Sequence, residues 1–353
     1  MPIRKIVFTG GGTAGHVTPN IALIESLAQQ NWQTDYVGSY NGVEKSMIEG
    51  IGIPYHAVHS GKLRRYLSWQ NCLDPFKVIA GVVQSYRLFK KLKPDIVFSK
   101  GGFVALPVVI GAYLNRIPVI AHESDMTPGL ANRLSFPFVA KICVTFDAAK
   151  RHFKQQDKIE VTGTPIRSQL FHGNKEKGLA LCGFDDSKPC ILIVGGSQGS
   201  SGLNAAVRQG LDELTTSFQV IHLCGKGKLD ASYVNHPHYY QLEYANQELS
   251  DLLAASDLVV SRSGANALYE LLALGKPHVL IPLSLKVSRG DQIQNARHFQ
   301  KIGISTVLDD DLLTTPILID AINDVFARRE SLGEAIKALG ITSATDKIIK
   351  LLS

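Results

Sequence analysis

The chain has 353 residues, 45% hydrophobic and 19% charged, with a formal net charge of +6. That length suits two domains of roughly 150 residues each, and that balance excludes disordered and fibrous classes. The charge is uneven, since residues 1–163 hold 19 Lys and Arg against 11 Asp and Glu while residues 164–353 hold 18 against 20, so the first half is expected to meet something anionic: nucleic acid, a membrane surface or phosphates.

No run reaches the roughly 18 apolar residues that span a bilayer. The start, MPIRKIVFTGGG, reads as a strand running into glycines and not as a signal peptide. IRKIVFTG (3–10) leads into Gly10-Gly11-Gly12-Thr13-Ala14-Gly15-His16 and a helix over 17–30. Gly10, Gly12 and Gly15 satisfy G-x-G-x-x-G, and Asp35 stands where a ribose-binding acid belongs, which suggests a dinucleotide site. Two details weigh against it. Asp35 begins its strand TDYVG (34–38) instead of ending it, and His16 occupies the helix N-terminus, where the dipole favours a neutral imidazole suited to a general base. A tight strand-to-helix turn alone would need the same glycines.

In the loop-like stretch 62–69, Lys62, Arg64 and Arg65 adjoin Tyr66, Leu67 and Trp69, a composition that suits an interfacial membrane contact. In the helix over 75–92, Phe76, Val78, Ile79, Val82 and Val83 are expected to form a core face. DIVFS (95–99) ends in Lys100-Gly101-Gly102-Phe103, and a helix over 104–114 follows. IPVIAHE (117–123) ends in His122-Glu123-Ser124-Asp125, before a helix over 127–135. Polar residues clustered at a strand end favour function, with capping of that helix as the alternative. AKICVTF (140–146) and IEVTG (159–163) complete the half. Residues 164–189, with Pro165, Gly173, Gly178, Gly183 and Pro189, read as a linker, and Arg167 within it either clamps a pyrophosphate or is a solvated charge.

The second half repeats the plan: CILIVGG (190–196), FQVIHLCG (218–225), DLVVSRSG (257–264), PHVLIP (277–282) and GISTVL (303–308). Its first loop is Gly195-Gly196-Ser197-Gln198-Gly199-Ser200, whose N–H groups can cradle phosphate oxygens. Glu270 lies on the helix after Ser261-Arg262-Ser263-Gly264, and Asp291-Gln292 opens the helix after 283–290. The architecture expected is α/β: two doubly wound, Rossmann-like domains facing a cleft lined by strand-end loops. Glycine loops in both halves argue for two phosphate-bearing ligands.

Five scattered cysteines, Cys72, Cys143, Cys182, Cys190 and Cys224, read as reduced core thiols of an intracellular protein. No histidine pair suits a metal, and Asp185-Asp186 and Asp309-Asp310-Asp311 read as solvated turns. Nucleic acid is disfavoured, because no recognisable module or basic recognition helix is present.

GGGTAGHVTPN (10–20), SKGGFVALP (99–107), HESD (122–125), GGSQGS (195–200), SRSGANALYE (261–270) and SRGDQIQNA (288–296) together resemble the MurG family, in order and spacing over nearly the whole chain. These are UDP-N-acetylglucosamine transferases that convert lipid I to lipid II in peptidoglycan synthesis. The resemblance implies the GT-B fold, with domains at 1–163 and 164–340 and a last helix, 343–352, that crosses back so that 341–353 joins the first. It implies inversion at the anomeric carbon, with no metal and no cofactor. Uracil would meet the backbone near Ala245, the ribose Glu270, and the diphosphate Ser197 and Gln198 at the helix start, with Ala265, Arg167 and Gln292 also at the donor. Thr13, Ala14 and Gly15 would approach the donor from the other domain.

By the same resemblance, Gly11, Gly12, Gly101 and Gly102 would hold the acceptor diphosphate. Many members read H-E-Q-N where this chain has Ser124 and Asp125, so Asp125 becomes a rival to His16 as the base. The partners implied are UDP-GlcNAc, lipid I and the anionic inner leaflet, gripped by Lys62, Arg64, Arg65 and Trp69 from the cytoplasmic face. The alternatives are a transferase with another lipid acceptor and a UDP-GlcNAc 2-epimerase.

Overall fold

The computed structural model describes residues 3–61, 69–196 and 198–352, the side chains of 69–73 excepted. Two compact units result: Met1–Arg167 with Ser343–Ser353, and Ser168–Thr342.

In the first unit, β1 (Arg4–Thr9), β2 (Trp32–Ser39), β3 (Tyr55–Val58), β4 (Ile96–Ser99), β5 (Val119–Glu123), β6 (Lys141–Val144) and β7 (Ile159–Val161) form one parallel sheet. Its order is β3-β2-β1-β4-β5-β6-β7, so the winding reverses between β1 and β4. Ligands of such sheets bind outside the carboxyl ends of the strands at that reversal. Ile6, Phe8, Phe98 and Ile120 bury against Ile21, Leu23 and Leu27 of the helix Thr18–Ala28 and against Ile348, Ile349 and Leu352 of the helix Thr345–Leu352. The chain's last helix is therefore part of this core, and Ile166 N donates to Ser343 Oγ at 2.9 Å where the two crossing segments meet.

In the second unit, β8 (Cys190–Val194), β9 (Gln219–Leu223), β10 (Tyr239–Leu242), β11 (Leu258–Ser261), β12 (His278–Leu280) and β13 (Thr306–Val307) run parallel in the order β10-β9-β8-β11-β12-β13. Ile191, Ile193, Val260 and Val279 pack against Leu203 and Val207 on one helix and Leu318, Ile322 and Val325 on another. The reversal falls between β8 and β11, so this unit repeats the topology of the first.

Three sequence expectations are corrected. β3 and β10 carry no clear strand pattern in the sequence, because both are four-residue edge strands without a continuous apolar face. The stretch read as a linker holds a 3₁₀ turn, Ser168–His172, and a helix, Lys175–Cys182, that belong to the second unit. Its glycines mark close packing: a Cβ on Gly173 or Gly178 would collide with the backbone of Ser250 or Asp251. Finally, Phe76, Ile79 and Val83 do not face the core of the first unit, being 69%, 61% and 43% exposed on the helix Trp69–Leu92. That helix packs through Gly81, Ser85 and Phe89 instead, and a Cβ on Gly111 of the neighbouring helix would meet Ser85. Small side chains set the approach of the two helices and turn the apolar stripe outward. Cys143, Cys182, Cys190 and Cys224 are buried and unbridged.

Candidate active site

At the reversal of the first sheet, the loop after β1 touches the loop after β4. Gly11 N donates to Gly101 O at 3.3 Å, and a Cβ on Gly102 would collide with Gly11 O. Gly12, Gly101 and Gly102 take φ of +88°, +90° and +87°, values that side-chain-bearing residues rarely adopt. Tyr36 Oη donates to Gly10 O at 2.7 Å, which ties the start of the loop to β2. The loop continues through a 3₁₀ turn, Ala14–His16, directly before the helix Thr18–Ala28. His16 is half-buried there, with Nδ1 3.1 Å from Thr13 Oγ1.

A buried acid that the sequence reading missed shapes this loop. Glu44, fully buried at the start of the helix Val43–Glu49, accepts from Gly12 N at 3.1 Å, Ser39 N at 3.0 Å and Ser39 Oγ at 2.5 Å. A Cβ on Gly11 would fall on its carboxylate. The N–H groups of Gly11 and Gly12 are thus committed to Gly101 O and to Glu44. No local pattern marks Glu44, since its partners come from two other strand ends. Glu44→Ala strands three partly buried donors, at up to about 1–3 kcal/mol for each one left unmade. It is expected to lower the melting temperature by several degrees, read by calorimetry, and an unchanged melt would rule out this role.

Asp35 binds His56 at 2.7 Å within the sheet, so it is not held out toward a nucleotide. At the end of β5, Glu123 accepts from Asp125 N at 3.0 Å, Gly129 N at 3.1 Å and Asn132 Nδ2 at 2.8 Å. Asn132 in turn packs against Gly101. Glu123 is therefore a structural clamp joining the β4 and β5 loops, while Ser124 and Asp125 are half-buried beside it. His122 is fully buried, donates Nε2–H to Gly163 O at 2.8 Å, and is held neutral by burial and by the nearby Lys100 cation.

The second unit carries its own strand-end cluster. Ser197 lies outside the described residues, and Gln198 is exposed beside it. Gly196 and Gly199 take φ of +89° and +65°, and a Cβ on Gly199 would strike Cys224 O at the end of β9. Ser200 caps the helix Ser201–Gln209 by accepting from Leu203 N. Lys228 Nζ reaches Gly199 O and Ser201 Oγ, both at 3.3 Å, which places a cation beside this loop.

Arg262, only 8% exposed, binds Ser200 Oγ at 2.5 Å, Ile281 O at 2.8 Å and Asp310 Oδ1 at 2.9 Å. One guanidinium thereby links the ends of β8, β11 and β12 to the Asp310 turn. That pairing corrects the reading of Asp310 as solvated, whereas Asp309 and Asp311 are exposed, Asp311 accepting from Ser284 Oγ at 2.8 Å.

Gln292 Oε1 accepts from Leu283 N at 3.1 Å, and its backbone carbonyl accepts from Ser263 Oγ at 2.9 Å, so it sits at the ends of β11 and β12. Ala265, itself buried, begins the helix Ala265–Ala273. Glu270 lies half-buried on the same helix, and Ala245 sits in the loop after β10. Ser197 apart, the second unit thus gathers Gln198, Ala245, Ala265, Glu270 and Gln292 around its carboxyl strand ends. Thr13, Ala14, Gly15, His16, Gly101, Gly102 and Asp125 gather at those of the first. Arg167 is half-buried in the crossing segment that ends the first unit. Lys62, Arg64 and Arg65 lie outside the described residues, as does the Trp69 side chain. Among the described residues, no group of three His, Cys, Asp or Glu could hold a metal ion, and no helix is long and apolar enough to cross a membrane.

Two doubly wound sheets with glycine loops at both reversals suit an enzyme that acts on nucleotide sugars. Residues 6–144 match the glycosyltransferase family 28 N-terminal domain and residues 190–352 the family's C-terminal domain, and the chain belongs to that family. It is 65% identical, over 99% of its length and 96% of the relative's, to the UDP-N-acetylglucosamine–N-acetylmuramyl-(pentapeptide) pyrophosphoryl-undecaprenol N-acetylglucosamine transferase of Legionella pneumophila strain Paris. The protein of the same name from Clostridium tetani is 52% identical over 99% of this chain and 97% of its own. Among solved structures, Acinetobacter baumannii MurG superposes with a TM-score of 0.74 at 26% identity, covering 99% of this chain and 98% of that one.

Proposed function

We propose that this glycosyltransferase moves N-acetylglucosamine from UDP-N-acetylglucosamine to the 4-hydroxyl of the muramoyl sugar of a lipid-linked diphosphate acceptor, lipid I. The observation that carries the reading is full-length identity of 65% to a transferase so named, joined to strand-end clusters in both units that suit phosphate-bearing ligands. The second unit would take the donor. Glu270 would accept from the ribose hydroxyls, and the loop Gly195–Ser200, with Gln198 and Lys228, would face the diphosphate. Arg167, Gln292 and the backbone of Ala245 and Ala265 would complete donor contact, with Thr13, Ala14 and Gly15 approaching from the first unit's loop. The acceptor diphosphate would meet the loop at Gly101 and Gly102.

His16 is the proposed base. In the tautomer whose Nδ1–H donates to Thr13 Oγ1, Nε2 carries the lone pair that takes the hydroxyl proton as the oxygen attacks the anomeric carbon opposite UDP. The departing diphosphate gains its stabilisation from N–H groups at a helix start and from cationic side chains, so the reaction is expected to run in EDTA.

We further propose that the first unit rests on the anionic inner leaflet at the cytoplasmic face. Exposed Phe76, Ile79 and Val83, with Lys77, Arg87 and Lys90 on the same helix, support that reading beside the stretch 62–69. The experiment measures UDP release in EDTA with and without acceptor. Release only when acceptor is present is expected. Epimerised UDP-sugar formed without acceptor would overturn the reading in favour of an isomerase.

A further inference from the structure

Lys100 directly follows β4, a strand whose four residues are all buried, and the lysine itself is only 1% exposed. A buried ammonium is costly unless something receives it. Here Nζ donates to Ser124 Oγ, and the carboxylates of Glu123 and Asp125 lie close enough to act on its charge. The groups around it come from every neighbouring strand. β1 contributes Thr9 O, which accepts from Lys100 N at 2.8 Å, and Gly10, whose added Cβ would stand 3.1 Å from Lys100 Cβ. His122, Glu123 and Asp125 come from β5 and its loop, and the Cys143 thiol from β6. Glu123 also accepts from Asp125 N, Gly129 N and Asn132 Nδ2, so it ties down the loop that carries Asp125 beside the lysine. Ser124 and Asp125 are also the two positions where this chain departs from the H-E-Q-N of many family members.

We propose that Lys100 is a positioning residue for transfer: its buried ammonium fixes Ser124 and balances Asp125, so that the loop after β5 presents an ordered, ionised carboxylate to the acceptor sugar. The assignment rests on the acceptor reading given above. Lys100 touches no ligand, because it lies beneath the loop. A cation buried here also explains how a carboxylate can stand at the anionic acceptor's site: the pair is locally neutral. Burial pushes the Lys100 ammonium down to about 8, against the pull of Glu123 and Asp125. The ammonium is the working form, so its contribution is complete below that range and is lost as the pH rises through it.

Three measurements test the proposal. Wild-type kcat is expected to fall as the pH rises through about 8. Lys100→Met is expected to lower kcat by roughly ten- to a hundredfold, a loss typical of misplaced reacting groups. The variant should lack that alkaline fall and leave KM for UDP-N-acetylglucosamine unchanged. Ser124→Ala keeps the cation but removes its acceptor. It should fold normally and move the alkaline fall to lower pH, because the charged form has lost a hydrogen bond.

An alkaline fall that keeps its wild-type position in both variants would overturn the proposal; if Lys100→Met does not fold, Ser124→Ala alone decides it. The ε-carbon signal of Lys100 in isotope-labelled free enzyme provides a readout without substrate. Titration near pH 8 that shifts down in Ser124→Ala supports the pairing, and titration at the ordinary lysine value refutes it. An inactive wild type would refute the proposed reaction, whereas the Lys100 titration would still decide the pairing.

Discussion

His16→Ala is expected to cut turnover by about 10²–10⁴, the usual contribution of a positioned general base, while affinity for UDP-N-acetylglucosamine stays as in wild type. The residue occupies the last position of the 3₁₀ turn before the helix Thr18–Ala28, and Thr13 Oγ1 orients its ring. The loop is held by the Tyr36 to Gly10, Gly11 to Gly101 and Gly12 to Glu44 hydrogen bonds, none of which uses the imidazole. The variant should therefore melt like wild type and bind donor like wild type, with the loss confined to kcat. Near-normal turnover in His16→Ala, paired with a large loss in Asp125→Asn, would transfer the base to Asp125.

Arg262→Ala should produce the second large effect, on a different property. Its guanidinium serves Ser200, Ile281 and Asp310 at once, and removal leaves the carboxylate of a largely buried ion pair without its partner. Breaking such pairs costs about 3–5 kcal/mol. Ser200 also caps the helix behind the Gly195–Ser200 loop, so the loop loses its anchor to β11. A marked fall in melting temperature is expected, together with weakened donor binding by calorimetry. An unchanged melt and unchanged donor affinity would show that Arg262 neither supports the fold nor holds the loop.

Much of this was legible in the sequence. Central strands such as IRKIVFTG and CILIVGG are continuous apolar runs because both of their faces are covered, and that pattern survives in a single sequence. The glycine loops were legible for the same local reason, since the turn and the close approach at Gly101, Gly102 and Gly199 demand glycine. What stayed hidden depends on partners far apart in the chain. Glu44, Arg262 with Asp310, and Lys100 with Ser124 acquire their roles only when separate strand ends meet. Lys100 was the nearest to legible, since it closely follows the apolar run Ile96-Val97-Phe98. β3 and β10 stayed hidden because edge strands of four residues need no repeating pattern. The stripe Phe76, Ile79 and Val83 was misassigned because helical periodicity marks an apolar face without saying what covers it.

The most direct test follows radiolabel from UDP-N-acetylglucosamine into the organic-soluble product when purified enzyme and a lipid I analogue are incubated in EDTA. The expected result is one labelled sugar per acceptor, attached at the muramoyl 4-hydroxyl with the β configuration that inversion requires. Label that remains in water-soluble products while UDP-N-acetylglucosamine is consumed would contradict the transfer.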